Sequence, residues 1–315
     1  MTASRPDRVT VAAFAASVLL AGGNAIGVKL TVAELPPFWG ATLRFGLAGL
    51  LLLLVVAVLR RPLPRGEHLL GAALFGVFGF GLSFMFAYWA LQTAPAGTAQ
   101  TVLAVVPLFT LFLAVGHRVE RFRAQALLGA LLAAGGIVLV FGGQADLDVP
   151  LSALVAILLA AACFGEAGVV AKRFPPGDPI AANAVAMLCG AAILGVLTLV
   201  TGEPVAAPAR LETWLAISYL VVFGSIGVFV LTLYVLARWT ATAASYAFLL
   251  VPLVTVVLAA VLLGEPLQPV FLAGGALVLG GVYVGAFRRP RPSSSAVPAG
   301  ARGRGSMTAE DSAGW

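Results

Sequence analysis

Charge is what this chain is short of. Only 10% of its 315 residues are Asp, Glu, Lys or Arg, against 61% hydrophobic. A soluble domain carries about 25% charge, so in water this chain would have more apolar surface than any core could hide. Cysteine is nearly absent. Cys163 and Cys189 both lie within apolar runs, which argues against a disulfide framework and for two structural thiols. The two histidines, His68 and His117, stand apart at the ends of apolar runs, so no Cys/His metal cluster is present. HExxH, GxSxG, Walker A and EF-hand patterns are missing too. No metal, no cofactor and no catalytic residue is expected, and without a nucleotide-binding domain ATP-driven transport by this chain alone is disfavoured. The net charge of +6 would suggest nucleic acid in a soluble protein. Here the cations sit at the ends of apolar runs, so membrane topology explains them and no nucleic-acid partner is expected.

What is present is a series of apolar runs, at about 9–30, 37–59, 69–91, 97–116, 124–141, 150–171, 179–200, 211–236, 242–263 and 268–287. Each is near the roughly 20 residues that a bilayer core needs. Most breaks hold a helix stopper, such as Pro36-Pro37, Pro62 with Pro64, Gly142-Gly143 or Pro175-Pro176. Runs of this length satisfy their backbone as helices, whereas barrel strands are about half as long. The first run follows Arg5 and Arg8 but continues to about Leu30 with no polar break or cleavage site. It reads as a retained helix, not a signal peptide. Lipid bilayer is therefore the surrounding medium.

Charge asymmetry sets the orientation. Arg5, Arg8, Arg60, Arg61, Arg65, Arg118, Arg121, Arg123, Lys172, Arg173, Arg238, Arg288, Arg289, Arg291, Arg302 and Arg304 fall on one side, sixteen in all, and only Arg210 on the other. This division works only with an even number of spans. It predicts a multi-pass protein of the cell membrane, inner or plasma, with both termini cytoplasmic. The tail from Arg288, rich in Ser, Pro, Gly and Arg, is expected to be disordered.

The chain also repeats itself. At an offset of 145 residues, Pro107, Glu120, Gly129, Gly135 and Gly136 map without a gap onto Pro252, Glu265, Gly274, Gly280 and Gly281. A weaker match sets Gly23-Asn24 near Gly165-Glu166. Each half then holds five helices, and an odd number turns the second half upside down. Charge agrees: Glu120 lies in an arginine-rich loop, while the loop of Glu265 has no basic residue. The expected fold is an all-α integral membrane protein of ten transmembrane helices, arranged as two inverted five-helix repeats. Its parts are a tail at 1–8, a first repeat at 9–141, an inverted second repeat at 150–287 and a basic tail at 288–315. Inverted repeats recur in secondary transporters, where two similar halves adopt two near-mirror packings.

Three segments carry a resemblance: "GGNAIGVKL…PPFWGATLRFGLAGLLLL", "YWALQTAPAGTAQTVLAVVPLFTLFLA" and "EPLQPVFLAGGALVLGGVYVG". Over about residues 10–287 the sequence is similar to EamA-type proteins of the drug/metabolite transporter superfamily. The Gly-Glu pair of that pattern stands at Gly264-Glu265, while the first half has Val119-Glu120. The resemblance implies a ten-helix bundle that moves a small-molecule substrate such as an amino acid, with export as the direction. A lipid-handling protein or enzyme without solute transport is the rival reading. A membrane sensor is another.

Ionisable groups inside a membrane are functional candidates by default. Lys29 either lines the pathway or snorkels to the interface. Arg44 either holds a substrate carboxylate, for which its fork geometry suits, or acts as a strut. Glu166 either carries a coupling proton or pairs with Lys172 or Arg173. Asn24, at the related place in the first half, either joins it in a central pathway or bonds between helices. Tyr88 and Trp89 belong to an interfacial aromatic belt or a substrate vestibule, and Tyr246 is an open case. Pro107 and Pro252 are hinge candidates or fixed bends. Gly129, Gly135, Gly136, Gly274, Gly280, Gly281 and Gly285 are helix-packing positions. A proton as coupling ion and a homodimer remain open.

Overall fold

The computed structural model describes residues 7–94, 96–142, 149–263 and 269–287. Gly264-Glu265 and the basic tail lie outside the described residues. Among those described, nine helices are long and apolar enough to cross a membrane, and a tenth, shorter apolar helix runs Thr101–Gly116. They are α1 (Arg8–Val32), α2 (Pro37–Val58), α3 (Glu67–Leu91), α4 (Ala96–Leu103 with Val106–Gly116), α5 (Ala124–Phe141), α6 (Leu151–Arg173), α7 (Pro179–Thr201), α8 (Leu211–Leu236), α9 (Ala241–Ser245 with Ala247–Leu263) and α10 (Pro269–Phe287).

Two seams run through the bundle, each made by corresponding helices of the two halves. In lipid, apolar burial does not drive helices together; close packing does, and glycine permits it. Along the α5–α10 seam a Cβ on Gly129 would stand 2.5 Å from the Gly285 backbone, and one on Gly136 would stand 2.6 Å from the Gly274 carbonyl. Gly281 in turn sits on Gly129 and Ala133. Residue numbers rise along α5 as they fall along α10, so the two helices are antiparallel. Along α2–α7, Gly49 meets Leu188 and Gly46 meets Ala191, again antiparallel. Corresponding helices run in opposite senses, and the halves are inverted.

Gly135 and Gly280 depart from the expected packing set. Gly135 has only a Leu277 methyl near, at 3.9 Å, and a Cβ on Gly280 would meet nothing within 4 Å. Each adjoins a seam glycine but points off the seam, because neighbours on a helix face directions about 100° apart. The prolines differ as well. Pro107 does not lie mid-helix: it stands in the first turn of Val106–Gly116, just after a break at 104–105. There its missing N–H is harmless. Pro252 lies inside Ala247–Leu263. The break in α9 falls earlier, at Tyr246, so the helix breaks of the two halves do not stand in the same relation to the matched prolines.

The α2–α7 seam is tied at both ends. At the arginine-rich face Asp178 caps α7, accepting from Ile180 N at 2.9 Å and Ala181 N at 3.0 Å, and Arg61 pairs with the same carboxylate. Burial pushes the Asp178 carboxyl up, but these backbone hydrogen bonds and Arg61 outweigh it and hold it below the usual carboxylate range. At the other face α7 ends on Gly202, left-handed at φ 71°. That turn delivers Glu203, which accepts from Trp39 N at 2.8 Å and Phe38 N at 3.3 Å at the start of α2.

Candidate functional site

Helix α1 is interrupted where it crosses the bundle. Gly23 separates Arg8–Gly22 from Asn24–Val32. A Cβ at Gly23 would lie 2.2 Å from the Tyr219 hydroxyl, so only glycine fits there. Backbone groups freed by such a break must find partners in lipid. Tyr219 of α8 donates to Leu20 O at 2.9 Å, and Thr255 of α9 donates to Gly22 O at 2.8 Å.

Helix α8 is irregular at the same level, with a π segment at Val222–Gly227. Single π turns inside α-helices occur at functional sites. Here the segment turns a carbonyl toward α1 and α2. Gly224 O accepts from Asn24 Nδ2 at 3.2 Å and from Arg44 Nη2 at 2.8 Å, and Ser225 Oγ accepts from Arg44 Nε at 2.8 Å. Arg44 is 2% exposed. Its guanidinium carbon stands 4.9 Å from the Phe45 ring centre and 5.8 Å from that of Phe84, within cation–π reach. Tyr88 stands beside Phe84, 5.9 Å between ring centres. Among the described residues no carboxylate pairs with Arg44. Asn24 Oδ1 is buried and has no hydrogen-bond partner among them. The site thus holds an uncompensated cation beside an unsatisfied acceptor. Both are costly in a membrane interior.

An aromatic wall continues from the cation. Phe45 contacts Phe80 and Phe84 at 5.0 and 4.8 Å, Phe84 contacts Phe164 of α6 at 5.7 Å, and Phe164 contacts Phe248 of α9 at 4.9 Å between ring centres. The arrangement suits a small anion or zwitterion with an apolar portion.

The remaining sequence candidates scatter. Tyr88 is 8% exposed and faces the site, whereas its neighbour Trp89 is 47% exposed and points outward. Lys29 is exposed near the end of α1, away from Arg44. Tyr246 is fully buried and donates to Ala126 O at 2.7 Å against Gly285; it braces α5 and α10 and takes no part in the site. Glu166 pairs with neither Lys172 nor Arg173. Its Oε2 is 3.5 Å from His117 Nε2, and Lys172 donates to Leu236 O at 2.8 Å. Nor does Glu166 match Asn24 in contact. Asn24 packs on Gly224, and on the related Gly79 the packing residue is Ala167.

Gly224, Ser225 and Tyr219 did not emerge from sequence reasoning. A signal existed: "VFG" at 77–79 recurs at 222–224, the same 145-residue offset. The π segment of α3, Val77–Leu82, maps onto that of α8 residue for residue.

Comparison with known proteins agrees with this architecture. The EamA-like transporter family model matches twice, over residues 9–142 and 151–286. The chain is 31% identical over 269 residues to YedA, an inner membrane transporter of Escherichia coli (strain K12), covering 84% of this chain and 86% of that one. It is 28% identical over 282 residues to a probable amino-acid metabolite efflux pump of Salmonella typhimurium (strain LT2), covering 86% and 92%. A solved crystal structure shares the fold with a TM-score of 0.74 at 22% identity, covering 89% of this chain and 96% of that chain. Two family matches that between them span both inverted halves place the chain in the EamA-like transporter family, as a multi-pass membrane transporter.

Proposed function

We propose that this chain is a secondary transporter of the inner membrane that exports amino acids or closely related metabolites by alternating access, with both termini cytoplasmic. The observation that carries the reading is Arg44, a buried guanidinium with no carboxylate partner among the described residues. A substrate carboxylate would supply the missing negative charge in the bidentate geometry that Arg favours. The unsatisfied Asn24 Oδ1 would accept from the substrate's ammonium group, and the Phe84–Phe164 wall would receive an apolar side chain. The efflux-pump relative agrees with export and with this substrate class. The repeats at 9–141 and 150–287 are the two structural units of the exchange.

Counterflow of radiolabelled amino acids in proteoliposomes tests this. Arg44→Ala should insert normally and lose transport about tenfold or more, the weight of one or more charge-assisted hydrogen bonds. Full activity in that variant would overturn the reading. Coupling to protons belongs to the same proposal, with Glu166 as carrier: its Oε2 is buried without a hydrogen-bond partner and faces His117. Glu166→Gln should flatten the pH profile of transport, and an unchanged profile removes Glu166 as carrier.

A further inference from the structure

The inverted repeat places the starts of α3 and α8 in equivalent corners at opposite faces of the membrane. Residues of α3 and α8 correspond at the 145-residue offset, as their Val-Phe-Gly segments do. The α1–α2 and α6–α7 connections correspond at 142, the distance from Pro37 to Pro179 at the starts of α2 and α7. The seam has that second register too: Gly49 meets Leu188, and the same shift carries this pair onto Ala191 and Gly46, which also meet. At the arginine-poor corner the Glu34 carboxylate accepts from Ala209 N, from Arg210 N at 3.2 Å and from Thr213 Oγ1. At the arginine-rich corner Arg65 and His68 hold the places of Arg210 and Thr213, and Pro176 holds that of Glu34. His68 Nδ1 bonds to Pro175 O at 3.1 Å. A cavity of about 410 Å³ opens here, lined by Pro64, Arg65, His68, Gly177 and Asp178 among others.

We propose that this cavity binds the phosphate of an anionic phospholipid, with Arg65 and His68 taking from the bilayer the anion that the other half supplies itself as Glu34. Asp178 does not fill that place. Its carboxylate is taken up by Ile180 N, Ala181 N and Arg61. Position 61 corresponds at 142 to Glu203, so this cluster is the counterpart of the Glu203 cap on α2. Nor does Glu67, in the first turn of α3, bar an anion. Its counterpart Glu212 stands in the first turn of α8, where the Glu34 carboxylate is held all the same. Pro64 does remove one donor, since it holds the place of Ala209 and has no N–H. The exposed Arg65 guanidinium supplies others, because its fork matches a phosphate with two parallel charge-assisted bonds. The surroundings favour a lipid over a free anion. Leu63, Leu69 and Leu70 flank these cations in sequence and are exposed, so apolar surface for acyl chains adjoins the headgroup position. Basic pockets between helices at a membrane face recognise anionic headgroups in this way.

The site depends on neither Arg44 nor transport, so its test needs no solute. The full chain, purified in detergent and stripped of lipid, is titrated with phosphatidylglycerol or with phosphatidylcholine of matched chains. Native mass spectrometry follows binding, and thermal unfolding follows stability. The parent should hold one phosphatidylglycerol about tenfold more tightly than phosphatidylcholine, the weight of one charge-assisted pair, and should melt higher with it. Pro176→Glu should supply the carboxylate from within: the variant should melt at least as high as the parent without lipid and lose the preference for phosphatidylglycerol. The double variant Arg65→Gln with His68→Gln should bind the two lipids alike, and a preference kept there would overturn the site even if Pro176→Glu failed to fold. Inorganic phosphate at matched concentrations should leave the parent's melting temperature unchanged. Stabilisation equal to that by phosphatidylglycerol would overturn the lipid assignment and leave a site for a free anion.

Discussion

The π segments of α3 and α8 began as one design and now do different things. Both start with Val-Phe-Gly and lie 145 residues apart. Each faces the second helix of the opposite half. On the α3 side that meeting is bare packing: a Cβ on Gly76 would stand 2.3 Å from Ala186 O, and one on Gly190 would stand 2.3 Å from the Phe80 side chain. On the α8 side it is polar, with Arg44 and Asn24 bonded to Gly224 O and Arg44 to Ser225. Where the first copy has Phe80 the second has Ser225, and where α2 offers Arg44 the facing stretch of α7 offers alanine. Duplication kept the mechanical irregularity in both helices, while the chemistry was built on one. One such polar site among the described residues, lying between two inverted halves, is what the proposed alternating access would require, since both faces must reach the same site in turn.

The sharpest way to break this comparison is at the matched glycines. Gly224→Ala would place a Cβ 2.0 Å from Asn24 Oδ1 and 3.5 Å from Arg44 Nη2. Asn24 must move, and Gly224 O loses a donor in a site where unsatisfied polar groups cost about 1–3 kcal/mol each. Transport should fall at least about tenfold, with a lower melting temperature. Counterflow together with thermal unfolding in detergent measures both, and a variant with normal transport would refute the site.

Ser225→Ala should act more weakly. It removes the acceptor for Arg44 Nε but leaves the bond to Gly224 O. Losing one neutral acceptor of a charged donor costs about 1.5–3 kcal/mol at most, and on the proposed reading a substrate carboxylate would take the freed N–H. A severalfold rise in KM with little change in turnover is the expected pattern. A fall in turnover at unchanged KM would instead make Ser225 part of the moving element.

How much of this was legible beforehand follows from what helical periodicity encodes. The ten spans and their inversion were readable because length, charge bias and the Pro/Gly offsets are local properties. Arg44 was readable as a candidate because a charge inside an apolar run stands out. Its partners were not, since Gly224 and Ser225 act through a backbone carbonyl and a hydroxyl exposed by a π turn, and neither residue type is unusual in a membrane helix. The Tyr88–Trp89 pair was ambiguous for a geometric reason: adjacent helical residues point about 100° apart, so one faced the site and the other faced outward. Glu166 was placed beside Asn24 by a gapped match whose error of about one residue rotates a side chain off the shared face. Gly135 and Gly280 were misjudged likewise, because a Gly-Gly pair says that backbones approach but not which glycine meets the partner.

The smallest effect expected is also the control that the comparison needs. Gly79 is the counterpart of Gly224, and a Cβ there would stand 3.3 Å from the Ala167 methyl and 3.8 Å from the Phe75 ring. That is a tight apolar contact which a shift of a few tenths of an ångström relieves. The three nearest atoms are all carbon, and the Gly79 carbonyl, which accepts from Ser83 Oγ at 2.8 Å, keeps its partner. Gly79→Ala should therefore leave transport within about twofold of the parent and cost about 1 kcal/mol of stability, the low end of the usual cost of overpacking. The two Gly→Ala changes are chemically identical and occupy matched positions of the repeat, so propensity and lipid exposure largely cancel between them. If Gly79→Ala proved as damaging to transport as Gly224→Ala, the asymmetry would be lost. Both π segments would then have to be counted as working parts, with Arg44 only a strut that replaces on one side the close packing found on the other.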